Sequence, residues 1–288
     1  MFCLARLFGA FFKDGRLCRF GWYFIMASTA EEVRELLNAE VVVEVAQLRD
    51  IAQHGLPNEV RGEVWMYLLG VQHPDKSREL TMSKSKAQDY RDFNKQMSDT
   101  TVMSRLRAEI KRYQPDNEIF RDKDVALIFE HVICAYLNNR GVEYYPALVH
   151  LCGPFVLSVR TESDVYFCFE QLMGMLTDEF ARQEFNEVLA RFTLLFRTMI
   201  PDLYSYFEDE EVDYSQWATS WLRHLLAKEL PIKALMRLWD TYFSTPGGIS
   251  LHAYVCLGTR SLLPMSALMI LCSGSEKVQG RTGRPRAL

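Results

Sequence analysis

The sequence predicts an all-α fold, on three observations. Apolar residues recur at steps of three and four in separate stretches: Val125, Ile128, Phe129, Val132, Ile133, Tyr136 and Leu137; then Phe185, Val188, Leu189, Phe192, Leu195, Phe196 and Met199; then Trp217, Trp221, Leu222 and Leu225. Each set places its apolar atoms on one helical face, which must be buried against other helices. Strand signals are weak: Val41-Val42-Val43 is too short to decide, and hairpin dipeptides are missing. No repeat occurs at a solenoid period.

The elements follow in order. Residues 1–25 are apolar and then basic, and read as a leader. Their charges interrupt the apolar run too early for a cleavable signal, which wants its basic residues first. A peripheral membrane contact by this segment is the other reading. Residues 26–44 open with Met26-Ala-Ser-Thr-Ala-Glu-Glu and read as a helical lead-in. A domain spans 45–257, and Gly55-Leu56-Pro57 is a turn that leads into a helix containing Trp65. Lys76 to Thr101 is polar and poor in large apolar residues, so it reads as a partly helical surface segment or loop. Asp122 and Asp124 suit the start of the Val125 helix. Asn138-Asn139-Arg140-Gly141 ends it with a residue tolerant of left-handed backbone. Pro201-Asp202 stops the Phe185 helix. Residues 258–288 read as a largely disordered tail, with a short apolar run from Met265 to Cys272 followed by Gly and Arg.

Composition narrows the function classes. The chain has 288 residues, 49% hydrophobic and 24% charged, which is enough for a sizeable core. Net charge is −4, but residues 1–25 carry +3 and residues 258–288 carry +4, which leaves −11 for the body. An acidic body argues against nucleic acid as a partner. The seven cysteines are scattered, without a CxxC pair, and read as reduced core cysteines of a cytoplasmic protein. Clustered Cys and His are absent, so no metal site is expected. No segment reaches the roughly 18 apolar residues of a membrane span.

Four stretches, in order over about 200 residues, carry a resemblance. They are Gly55-Leu56-Pro57 with Arg61, Trp65 and Leu68-Leu69; Leu106-Arg-Ala-Glu109-Ile-Lys-Arg112; Glu143-Tyr144-Tyr145-Pro146-Ala147 with the later Pro154-Phe155; and Leu230-Pro231 with Arg237-Leu238-Trp239-Asp240. Together they resemble the TBC domain, the helical module that stimulates GTP hydrolysis by Rab GTPases. The resemblance implies a two-lobed, multi-helix fold. It also implies a Rab-type small GTPase as partner, no cofactor of the chain's own (nucleotide and Mg are bound by the GTPase), and recruitment to endomembranes. It says nothing of oligomeric state.

The resemblance also assigns residues. An arginine inserted in trans stabilises transition-state charge, worth roughly 10³–10⁵ in rate, and Arg112 stands at that position. Lys111-Arg112 also reads as a solvated basic pair. Glu109, Tyr144 and Tyr145 are candidate binding residues. Gly55, Pro57, Arg61, Trp65, Trp239 and Asp240 are structural motif residues. Trp65 and Trp239 read as core, and Arg61 and Asp240 read either as a buried pair or as two independent surface charges. The acidic run Glu208 to Asp213 reads as a solvated loop, or as a dock for a basic GTPase surface.

Three departures stand out. Pro146 occupies the place of the family's glutamine, which orients the attacking water, and proline has no amide to do so. Glu143 and Ala147 replace the flanking glycines, and Glu143 sets a negative charge near where nucleotide phosphates would sit. Tyr113 follows the arginine where a small residue is usual. The expectation is therefore a regulator of another protein's GTP hydrolysis without a glutamine finger. The alternative is a catalytically silent scaffold that holds a GTPase or a trafficking complex. The tail in place of further apolar helices resembles a truncated or alternatively spliced form.

Overall fold

The computed structural model describes residues 10–13, 16–19, 29–181 and 185–262. Thirteen α-helices lie among them: α1 (Ala30–Leu37), α2 (Val45–His54), α3 (Asn58–Leu68), α4 (Lys76–Asp92), α5 (Thr100–Arg112), α6 (Lys123–Arg140), α7 (Ala147–Ser158), α8 (Glu162–Ala181), α9 (Phe185–Met199), α10 (Pro201–Asp209), α11 (Ser215–His224), α12 (Ile232–Ser244) and α13 (His252–Leu262). Short 3-10 turns at Glu118–Arg121 and Gly248–Leu251 precede α6 and α13. The body is all-α.

Local chemistry sets the helix ends. Thr29 and Glu32 form a reciprocal capping box that opens α1 within the lead-in. Asp99 and Asp122 cap α5 and α6 through their carboxylates, each satisfying backbone N–H groups that a helix start leaves free. Gly141 takes the left-handed φ of 61° that ends α6. Pro201 is the first residue of α10, where its missing N–H costs nothing.

One open reading is resolved here and one expectation is corrected. Of the two readings for Lys76 to Thr101, the partly helical surface segment holds: Asp75 caps a 17-residue α4, and Asp99 opens α5. Its single buried anchor, Tyr90, packs on Tyr166 and donates its hydroxyl to Glu162 at 2.7 Å. One anchor in so polar a stretch leaves no apolar stripe to read. The leader contains an antiparallel pair, β1 (Ala10–Lys13) and β2 (Arg16–Arg19), with Lys13 opposite Arg16. The intervening sequence Asp14-Gly15 is itself a hairpin dipeptide, so hairpin signals are not missing. Helix α13 runs on to Leu262, beyond the expected boundary at 257. The run Met265 to Cys272 and the Gly/Arg segment lie outside the described residues.

The helices form two lobes. In the first, α6, α7 and α8 pack on one another, with α3, α4 and α5 around them. In the second, α9 packs on α10, α11 and α13. Helix α12 returns to α2, α3 and α7. At that crossing Trp65, Phe155, Trp239 and Phe243 form one aromatic cluster, with Trp65 at 5.6 Å from Phe155 and 5.2 Å from Phe243. Both tryptophans are fully buried. Cys134, Cys152, Cys168 and Cys256 are free and buried, and burial pushes the Cys134 thiol up to about 11.

Arg61 and Asp240 meet inside this crossing. Arg61 Nε lies 3.0 Å from Asp240 Oδ1. The Trp65 indole donates to the same oxygen at 2.9 Å, and the Leu56 amide donates to Oδ2 at 3.0 Å. Arg61 also donates to the Leu56 carbonyl and to Asn58 Oδ1. Burial pushes the Asp240 carboxyl up, and these donors oppose it. Gly55 is required just before: its φ is +102°, and a Cβ there would sit 2.7 Å from Arg237 Nε. Pro57 then precedes the first residue of α3.

Candidate functional site

The site is built where the end of α5 meets the start of α7. Leu106 and Ile110 on α5 are buried and orient the helix. That leaves Lys111 and Arg112 in its last turn, where the helix dipole favours cations. The Arg112 side chain is 70% exposed. Its Nη2 donates to Glu109 Oε2 at 2.7 Å, one turn back on the same helix.

Glu109 has a second partner. His150, on the first turn of α7, approaches Glu109 Oε1 with Nε2 at 3.1 Å. The Glu109 side chain is only 15% exposed. Burial raises its pKa, but the hydrogen bonds from Arg112 and His150 prevail and hold the carboxyl below its ordinary value. His150 itself is pushed down, first by burial and then by Lys228, with Glu109 pulling the other way. The Ala227 backbone also meets the ring, and of these two acceptors the Glu109 carboxylate takes the hydrogen when it sits on Nε2.

Tyr113 anchors the end of α5. It is 2% exposed, and its ring meets Phe120, Phe129 and His150 edge-on at 4.9, 5.6 and 5.2 Å. A large residue fits here because α7 carries Gly153 opposite. A Cβ on Gly153 would fall 2.0 Å from the Tyr113 hydroxyl. This pairing explains why a bulky residue can follow Arg112. It was not legible in the sequence, because the two positions meet only in the folded chain.

The aromatic pair before α7 diverges. Tyr144 turns toward the Arg112 end: Glu109, Arg105 and Arg112 all act on its hydroxyl electrostatically, and the Arg105 guanidinium lies over its ring at 5.5 Å from the centroid. Tyr145 stacks on His224 of α11 at 6.2 Å, and burial pushes its hydroxyl up to about 12. Tyr144 thus packs under Arg105 of α5, whereas Tyr145 ties the loop to the second lobe. Pro146 has φ −59° and ψ −29° and begins α7. It presents no side-chain polar atom beside them. The acidic run Glu208 to Asp213 lies elsewhere, where Glu208, Glu211 and Asp213 rim a cleft floored by Leu189, Phe207 and Val212.

The profile of the RabGAP-TBC family, the Rab-GTPase-TBC domain, matches residues 58–263. The chain belongs to this family. The TBC domain is thus most of the chain, and its match passes the expected boundary at 257. Human TBC1 domain family member 22B is 26% identical over 260 residues, covering 78% of this chain and 51% of that protein. The GTPase-activating protein GYP1 of Saccharomyces cerevisiae is 22% identical over 246 residues, covering 73% and 39%. The crystal structure of the Ypt/Rab-GAP domain of Gyp1p superposes with a TM-score of 0.71 at 20% identity, covering 84% of this chain and 89% of that one. That likeness shows the shared TBC fold. The chain spans about half the length of the human relative it matches.

Proposed function

We propose that this TBC domain binds a Rab-type small GTPase and accelerates its GTP hydrolysis through Arg112. The observation that carries the reading is Arg112 itself. It is a largely exposed guanidinium on the rigid end of α5, held by Glu109 alone among the contacts described. An exposed arginine on a fixed helix end can enter a partner's nucleotide site at little ordering cost. There it would meet charge developing on the transferred phosphoryl group. The GTPase brings nucleotide and Mg, and this chain brings the arginine. Membership of the Rab-GTPase-TBC family and the GTPase-activating yeast relative support the partner class. No helix among the described residues is long and apolar enough to cross a membrane. We place its action at endomembranes, with the partner GTPase as the natural recruiter.

A second reading has its own observation. Pro146 places no amide beside the Arg112 end, so the attacking water must be oriented by the GTPase's own groups. A chain that binds the GTPase and leaves its rate unchanged fits Pro146 equally. Single-turnover GTP hydrolysis by a panel of Rab GTPases, with and without this chain, separates the two. A rate rise with at least one member supports the first reading. Binding without a rate rise selects the scaffold.

A further inference from the structure

The Glu109 carboxylate is shared. One oxygen serves Arg112 on its own helix, and the other is taken by His150 from α7. A carboxylate joined to a guanidinium only one turn away on an exposed helix end is ordinarily a loose surface pair of small worth. Here it is not loose, because Glu109 is largely buried and pinned from the far side by an imidazole that is itself fixed. Tyr113 meets the His150 ring at 90° and 5.2 Å, and Gly153 leaves the space Tyr113 needs. The chain of contacts runs from the α7 backbone through His150 and Glu109 to the guanidinium.

The geometry points to His150 as a positioning residue for Arg112: by holding Glu109 Oε1 it fixes Oε2, and with it the place from which the guanidinium reaches the partner. This rests on the reading of Arg112 as the inserted arginine. His150 does not touch the GTPase's reacting atoms and acts only through Glu109. A displaced charge explains why the effect falls on rate rather than on binding. A misplacement of about 1 Å in a reacting group costs on the order of 100-fold, while the docking surface around it is unchanged. The groups that face His150 are Glu109 and Tyr113 from the α5 end, and the Ala227 backbone, Lys228 and His224 from the α11–α12 side. Burial, with Lys228, lowers the His150 pKa against the pull of Glu109 and the Ala227 backbone, and the role asks only for an N–H on Nε2.

The test uses two variants of the full chain. His150→Phe keeps the ring against Tyr113 and removes the donor. His150→Gln removes the ring and keeps an N–H that can reach Glu109. The first readout needs no GTPase: the Nε–H resonance of Arg112 in arginine-labelled chain, assigned by its loss in Arg112→Lys. In His150→Phe the resonance shifts toward the free-arginine position, and in His150→Gln it returns toward wild type. The second readout is single-turnover hydrolysis with the responding Rab GTPase. His150→Phe lowers the saturating rate by roughly 10- to 100-fold and leaves the half-saturating chain concentration within about twofold, and His150→Gln recovers most of the rate. A His150→Phe resonance superimposable on wild type overturns the proposal, and so does equal loss of rate in both variants. If wild-type chain leaves hydrolysis at the GTPase's own rate, the functional reading fails, while the Arg112 resonance still decides whether His150 positions the arginine. A thermal melt of each variant separates misfolding from misplacement, and if His150→Phe fails to fold, His150→Leu, which also removes the donor and leaves Glu109 in place, provides the same comparison.

Discussion

Arg61 Nε lies 3.0 Å from Asp240 Oδ1, so two residues 179 positions apart share one buried contact. The contact ties the entry turn and α3 to the returning α12, with Asp240 also accepting from Leu56 and Trp65. Removing Asp240 leaves a buried guanidinium and two donors without their acceptor. Breaking a buried pair from one side costs about 3–5 kcal/mol. Asp240→Ala is therefore expected to destabilise the fold by that order in urea denaturation. Asp240→Asn, which keeps an acceptor oxygen, should cost less. An Asp240→Ala midpoint equal to wild type would show that the pair contributes nothing.

Gly153 and Tyr113 make a second prediction. A Cβ at 153 would fall 2.0 Å from the Tyr113 hydroxyl, and Tyr113 is hemmed in by Phe120 and Phe129. Overpacking of this kind costs about 1–3 kcal/mol. Gly153→Ala should destabilise by that amount in wild type and by less than half as much in a Tyr113→Leu background. The coupling is read from a double-mutant cycle in denaturant. Strictly additive costs would place the strain elsewhere.

A pH dependence follows from His252. Its Nδ1 is 2.6 Å from the Tyr242 hydroxyl, and its Nε2 is 2.7 Å from the Trp221 carbonyl. That arrangement satisfies a neutral ring, with Nε2–H donating and Nδ1 accepting. Burial pushes its pKa down to about 4, from an ordinary value near 6.5. Between those values the unfolded chain binds a proton that the folded chain does not. The contribution is therefore complete above pH 6.5 and is lost as pH falls toward 4. At about 1.4 kcal/mol per unit the loss is of the order of 3 kcal/mol. Comparing urea unfolding at pH 7 and pH 4.5 should show a smaller drop for His252→Gln than for wild type. Carboxyls common to both chains cancel in the comparison, and an equal drop would contradict the assignment.

The helical body was legible because its periodic stripes are long and regular, as in α6 and α9. The entry turn and Arg61 were legible as a motif, but their joint anchor on Asp240 required the fold. Helix α4 stayed an open alternative to a loop because it buries only Tyr90 along 17 residues, so no stripe marks it. The strand pair in the leader was missed at Asp14-Gly15, although that dipeptide was in plain view. Among site residues, Glu109 and Arg112 were indicated by the family resemblance, and they stand one turn apart on one helix. His150 could not: it lies 41 residues from Glu109, and nothing in the local sequence of α7 marks its partner. Tyr144 and Tyr145 are neighbours in sequence yet face different lobes, which a short loop between helices permits and a motif does not reveal.

Pro146 separates the two functional readings. If the absent amide limits catalysis, Pro146→Gln should raise the single-turnover rate. One well-placed polar group in a transition state is worth on the order of 100-fold, so a rise of about tenfold or more is expected with a GTPase that binds. Proline is tolerated at a helix start but not required there, and the variant should keep its melting temperature. A folded variant that binds without any rise would show that the water is oriented by the GTPase alone.

The most direct test is Arg112→Ala in single-turnover hydrolysis by a Rab GTPase that responds to the wild-type chain. Arg112 is largely exposed and makes its described contact only with Glu109, so the variant should fold and still bind. The account predicts that stimulation, worth up to about 10³–10⁵ for an inserted arginine, falls to the GTPase's own rate while binding persists. Stimulation that survives Arg112→Ala would contradict it.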